Sequence, residues 1–237
     1  MSRREIFIPE GHDNGEILTF PQKLMHHVVR TLLEIIARLY FRLEVHGREN
    51  IPRKGPFLIA PIHRSYLDTP VIGASIRRLM RYMGAEKMWT NRQLGWFLTA
   101  MGGFPVQRGS ADREALKAAL MVVERGEPLV MFPEGTRQNG SRVSEMFDGP
   151  AYVACRTGAV IIPVGIGGTE RAMPKGKKFI WPVKMVVVIG APITPPPKKE
   201  SGRVSRNGVR QMTLELGERL QELFDEAQFL AGCPNKD

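Results

Sequence analysis

The stretch PFLIAPIHRSYLDTP, residues 56–70, decides the fold. Phe57-Leu58-Ile59-Ala60 is an unbroken apolar run between Pro56 and Pro61. That is the pattern of a short buried strand that delivers its last residues to a sheet edge. Thr69-Pro70 opens a second apolar stretch, and Asp68 or Thr69 suits the N-cap of a helix with Pro70 in its first turn. His63 and Asp68 stand between strand and helix. Their spacing does not put both side chains on one helix face. They meet only if a turn folds Asp68 back towards His63. In that geometry the carboxylate accepts a hydrogen bond from one ring nitrogen, fixes the tautomer and stabilises the imidazolium. The other nitrogen is left free to take a proton from a substrate. Taken alone, the same pair also reads as a His and an Asp that cap and satisfy a loop.

Other stretches end apolar runs in a similar way. They are GGFPVQR (102–108), FPEGTR (132–137) and VIIPV (160–164). Two of them deliver an arginine, Arg108 and Arg137, just past a strand. Arginine grips phosphate through a planar fork of donors and keeps its charge at any working pH. A glycine such as Gly135 lets backbone amides approach an anion closely. A His-Asp pair beside two arginines suits deprotonation of a hydroxyl on a phosphorylated acceptor. Neither a G-x-S-x-G elbow nor a Walker A loop, a G-x-G-x-x-G or a metal-ligand cluster is present. Direct attack by the acceptor is therefore expected, with no covalent intermediate, no metal and no bound cofactor.

Around these motifs strands and helices alternate. Residues 1–20 read as an irregular arm broken by Gly11, Asn14 and Gly15. A helix runs from Pro21 to about Tyr40, with Leu24, Val28, Leu32, Ile35, Ile36 and Leu39 at helical spacing and a mainly basic stripe opposite. Such a helix can lie in a membrane interface or pack on the domain, and the apolar stripe alone leaves both open. Strands are expected at 42–46, 57–60, 78–84, 104–106, 128–132, 160–164 and 185–189. Helices are expected at 70–77, 91–101 (capped by Asn91), from Ser110 or Asp112 to about Arg125, at 148–157 and at 209–229. The strands are apolar throughout rather than alternating, so the sheet is covered on both faces in an α/β fold. Active groups in such sheets gather in the loops beyond the strand ends. The organisation that follows is an arm (1–20), an amphipathic helix (21–45) and a catalytic domain (46–237).

The 237 residues carry a net charge of +10 and a pI near 9.9. Ten Lys or Arg stand against one acid, Glu200, between Arg171 and Arg210. That balance implies an anionic partner such as an acidic membrane surface, a phosphorylated substrate or nucleic acid. The basic residues lack the interleaved aromatics of an RNA-binding platform, so nucleic acid is not expected. Cys155 and Cys233 are far apart and show no ligand spacing, which fits a reducing compartment. No apolar h-region opens the sequence, and no run reaches the ~18 apolar residues of a spanning helix.

The set HRSYLD (63–68), GGFPVQRG (102–109), FPEGTR (132–137) and VIIPVG (160–165) resembles the glycerolipid acyltransferases of the 1-acylglycerol-3-phosphate type. The resemblance spans roughly residues 45–190. It implies a mixed, largely parallel sheet flanked by helices and a peripheral enzyme on the cytoplasmic face of the membrane. It implies His63 as general base on a glycerol hydroxyl and Asp68 as its orienting partner. Arg108 would bind acceptor phosphate, and Glu134, Gly135, Thr136 and Arg137 would shape the acceptor site. Ile162-Pro163 would help line the acyl side. The co-substrate would be acyl-CoA or acyl-carrier protein, and the product phosphatidic acid. The alternatives are the same chemistry on glycerol 3-phosphate, another lysophospholipid or a glycolipid, or a non-catalytic basic module that binds membrane or nucleic acid.

Overall fold

The computed structural model describes residues 20–106, 112–174, 179–197 and 204–235. The expected arm at 1–19, Arg108, Ser110 and parts of the basic 171–210 stretch lie outside the described residues.

A seven-stranded sheet organises the chain. Its strands are β1 (Glu44–His46), β2 (Leu58–Pro61), β3 (Arg81–Ala85), β4 (Gly103–Val106), β5 (Leu129–Val130), β6 (Ile161–Gly167) and β7 (Val186–Ile189). Their spatial order is β1-β7-β6-β2-β5-β3-β4. The pairs from β6 to β4 are all parallel, whereas β7 runs antiparallel to β6 and carries β1 parallel to itself. The sheet is therefore mixed and largely parallel, with β2 at its centre. Every residue of β2, β5, β6 and β7 is buried. Burial on both faces is what uninterrupted apolar strands require.

Helices α1 (Phe20–Tyr40), α2 (Asp68–Ser75), α3 (Arg92–Ala100), α4 (Asp112–Glu124), α5 (Gly149–Thr157), α6 (Thr169–Ala172) and α7 (Arg206–Leu230) flank the sheet. α7 buries Val209, Met212, Leu216, Leu220, Phe224 and Ala227, a row at helical spacing. Each such side chain contributes on the order of 1.5–3 kcal/mol by leaving water. The helix lies so close to β6 that an added Cβ would overlap the Leu223 carbonyl at Gly165 and the Ala227 carbonyl at Gly167. α3 begins as its sequence suggests, with the Asn91 side chain accepting from the Gln93 and Leu94 amides, both at 3.0 Å.

Several boundaries differ from the sequence reading. β1 excludes Arg42, whose φ of 49° is incompatible with extended backbone. β5 is shorter than the apolar run 128–132 and β6 is longer than 160–164. The short α6 follows β6 unannounced by any periodicity, since one turn is too brief to show one.

For α1, where the sequence left both faces open, the structure shows which one meets the domain. Its inward side carries Gln22, Ala37 and the half-buried His26, Arg30 and Glu34, with Arg30 bonded to Glu34 at 3.0 Å and Arg38 to Glu34 at 2.7 Å. Its apolar row faces outward: Leu24, Val28, Leu32, Ile35, Ile36 and Leu39 are all exposed, Leu39 by 79%. Among the described residues no helix is long and apolar enough to cross a membrane.

Candidate active site

β2, β5 and β4 run parallel, so their C-terminal ends share one edge of the sheet. His63 lies just past β2, and Pro133-Glu134-Gly135-Thr136-Arg137 lies just past β5. β4 brings Val106 to that edge, while Arg108 lies outside the described residues.

The turn between β2 and α2 folds back as the pair required. His63 Nδ1 and Asp68 Oδ2 stand 2.9 Å apart. The same Oδ2 accepts from the backbone amides of Arg64 and Ser65, both at 2.7 Å. Oδ1 accepts from the Thr169 hydroxyl at 2.7 Å. Asp68 is fully buried, and four donors converge on it, which suits the acceptor-only carboxylate. An acceptor at Nδ1 assigns the ring proton to that nitrogen and leaves Nε2 without one. The His63 side chain keeps 17% exposure, and its ring stacks on Phe132 with centroids 4.0 Å apart. Asp68 does not cap α2 as expected. Leu67 holds the cap position, and the carboxylate turns back because the buried amides and imidazole of the turn are its nearer donors.

Glu134, expected to help shape the acceptor site, is only 2% exposed. Both of its oxygens lie 2.8 Å from Arg64 Nη1. It also accepts from the His63 amide at 2.9 Å and the Ser144 amide at 3.1 Å. It acts behind the site, tying the strand-end turns together. Arg64 completes the tie. It is 2% exposed, donates to the carbonyls of Gly140 and Arg142, and lies 5.0 Å over the Phe224 ring of α7. The Gln138 amide donates to the His63 carbonyl at 2.8 Å, a second stitch between the two turns.

Gly135, Thr136 and Arg137 do lie at the surface of this edge. Gly135 and Thr136 are exposed, and Arg137 is half-exposed with its guanidinium carbon 3.3 Å from the Tyr66 ring centroid. Gly135 has a φ of +66°, and a Cβ there would meet Phe147 at 2.8 Å, so the turn requires glycine. Ile162 and Pro163 do not reach the site. They sit inside β6, paired with Ile59 and Ala60 of β2, and both are buried. A separate apolar groove of about 450 Å³ lies between α1 and α2, lined by Leu33, Ile36, Tyr40, Leu67, Pro70 and Ile180 among others, with His63 outside its lining.

Sequence reasoning missed Arg64, Phe132 and Thr169. Arg64 reads as an ordinary surface arginine, and nothing local marks it for burial. Glu170, beside Thr169, has its carboxyl pushed up by burial and further by the Asp68 charge, against the pull of Arg64 and a hydrogen bond with the Gly140 backbone.

A family model described as Acyltransferase matches residues 42–167, more than half of the chain. The chain belongs to the Acyltransferase family, and its fold is that of an α/β acyltransferase domain. Its relatives carry a narrower description. The chain is 25% identical over 164 residues to the chloroplastic 1-acyl-sn-glycerol-3-phosphate acyltransferase LPAT1 of Arabidopsis thaliana, an alignment covering 68% of this chain and 46% of that one. It is 26% identical over 205 residues to the 1-acyl-sn-glycerol-3-phosphate acyltransferase of Bacillus subtilis, covering 84% of this chain and all of that one. It thus spans about half the length of the plant enzymes and the whole of the bacterial one. The crystal structure of the 1-acyl-sn-glycerophosphate acyltransferase PlsC from Thermotoga maritima superposes with a TM-score of 0.67 at 25% identity, covering 86% of this chain and 83% of that one.

Proposed function

We propose that this chain transfers a fatty acyl group from an acyl thioester to the free hydroxyl of 1-acylglycerol 3-phosphate, giving phosphatidic acid. The names of the relatives support the acceptor. The observation that carries the mechanism is the 2.9 Å contact of His63 Nδ1 with a buried Asp68, which leaves Nε2 as the ring nitrogen free to take a proton.

Nε2 removes the proton of the acceptor hydroxyl as its oxygen attacks the thioester carbonyl. Asp68 holds the ring and stabilises the imidazolium that forms. The carbon–sulfur bond then breaks, and the imidazolium returns the proton to the departing thiolate. The new ester and the free thiol balance the step, and neither a metal nor a bound cofactor takes part. Arg137, whose guanidinium carbon lies 3.3 Å from the Tyr66 ring centroid, is the proposed partner of the acceptor phosphate through its fork of donors. Arg108, just beyond β4, is its proposed companion. The groove that Leu67 and Pro70 help line is the proposed surface for an acyl chain, since Leu67 directly precedes Asp68 in the chain. The outward apolar row of α1 suits a peripheral position on the cytoplasmic face of an anionic membrane.

The test is a reaction of the purified protein with acyl-CoA and acyl-carrier-protein donors. The acceptor panel holds 1-acylglycerol 3-phosphate, glycerol 3-phosphate, lysophospholipids and glycolipids, and products are read by mass spectrometry. Phosphatidic acid is the expected main product. A product from another acceptor alone would move the acceptor assignment, and no acyl transfer to any of them would reject the reading.

A further inference from the structure

Asp68 receives help from a segment that none of the sequence motifs includes. Thr169 is the first residue of α6, 101 positions from Asp68, and only 1% of it is exposed. Its hydroxyl does not serve its own helix. The cap position belongs to Gly168, whose φ of 85° fits the left-handed region. The hydroxyl instead donates across the fold to Asp68 Oδ1 at 2.7 Å. Among the described residues it is the donor to that oxygen, while Oδ2 serves His63 Nδ1 and the amides of Arg64 and Ser65.

A further contact ties the end of α6 to the same turn, where the Ser65 hydroxyl donates to the Met173 carbonyl at 3.2 Å. A buried carboxylate with one oxygen unpaired would lose free energy and could rotate to find another donor. Rotation would pull Oδ2 away from the imidazole.

We infer that Thr169 is a positioning residue for acyl transfer, fixing the Asp68 carboxylate so that it holds the His63 ring with Nε2 free. The inference rests on the reading of His63 and Asp68 as the catalytic pair. The side chain touches neither substrate nor the reacting atoms, and it acts only through Asp68. The other charged groups about this pair are Arg64, Glu134 and Glu170, and the hydrogen bonds between Arg64 and Glu134 do not involve the Thr169 hydroxyl.

The test compares Thr169→Val, which keeps the shape and removes the donor, with Thr169→Ser, which keeps the donor. Thr169→Ala stands in if the valine variant fails to fold. In the folded Val variant kcat falls by about tenfold or more, while KM for donor and acceptor stays within about twofold. The Ser variant recovers most of the rate. The His63 Nδ1 proton, followed by NMR, loses protection from solvent exchange in the Val variant and keeps it in the Ser variant. A Val variant with a lowered Tm but normal kcat and an intact Nδ1 proton would overturn the inference, as would a Ser variant that behaves like Val. Full activity in His63→Ala would fail the catalytic-pair reading instead. The resonance would then still report whether Thr169 holds Asp68.

Discussion

The turn from β2 to α2 and the helix α1 bury polar groups in opposite circumstances. Asp68 and Arg64 of the turn, with Glu134 from the segment after β5, are almost fully buried, and each is matched by several partners at hydrogen-bond distance. In α1 the charged pair Arg30–Glu34 lies towards the domain while Leu24, Leu32, Ile35 and Leu39 face out. The turn is closed on itself, and its polar groups are set by tertiary partners. α1 is closed on one side only, and its outward side is apolar enough to need a cover that water does not provide. The one region fixes a chemical group in place, whereas the other leaves a surface for something else to contact.

That contrast can be broken most severely at Arg64. Replacing it by Ala leaves the buried Glu134 carboxylate without its cation, which costs about 3–5 kcal/mol. Chemical denaturation should show that loss directly. A loss under about 1 kcal/mol would mean that the turn is far less dependent on this pair than its geometry implies.

The outward face of α1 should behave in the reverse manner. Leu32→Glu with Leu39→Glu replaces two exposed side chains, so folding stability should change by no more than about 0.5 kcal/mol. If that face meets lipid, the same change removes two leucines from an apolar environment and should weaken binding to anionic vesicles by about 100-fold. Unchanged sedimentation with vesicles would place the membrane contact elsewhere.

A smaller effect separates the two faces of the helix. Burial lowers the pKa of His26 from its usual 6.5, and the Arg30 and His27 charges lower it further. The unfolded chain therefore takes up a proton at His26 before the folded one does, so stability is lost as pH falls below about 6.5. Burial raises the Glu34 carboxyl, but the bond to Arg30 and the charges of Arg38 and Arg77 bring it below its usual 4.5. Its contribution is present above that value and is lost as pH falls through the lower folded value. Both groups thus loosen the inner face of α1 in acid. Amide exchange in residues 22–37 should quicken on going from neutral pH to below 6, once corrected for the intrinsic pH dependence. Corrected exchange that stays flat, or quickens equally in β2, would contradict this.

The sequence made some of this legible and hid the rest for physical reasons. Buried strands announce themselves by unbroken apolar runs, and β2, β6 and β7 stand near where their runs lie. Asn91 caps α3 because capping is a local bond between near neighbours. His63 and Asp68 could be paired on paper because a turn is the sole way five positions can bring them together. The orientation of α1 was not legible: its period shows that two faces exist, but which one meets the domain depends on what the domain offers. The burial of Glu134 and Arg64 was not legible because burial of a charge is decided by a partner 70 positions away. Thr169 was hidden for the same reason, and Ile162-Pro163 proved to be core strand because an apolar motif looks the same whether it lines a site or a sheet.

The account turns on His63 as the group that removes the acceptor proton. The direct measurement is acyl transfer by purified His63→Ala against the parent chain, with circular dichroism and thermal melting confirming an unchanged fold. Loss of at least about 1,000-fold in kcat/KM, with the melting point little moved, is the expected result. Turnover within about tenfold of the parent by a folded His63→Ala protein would contradict it.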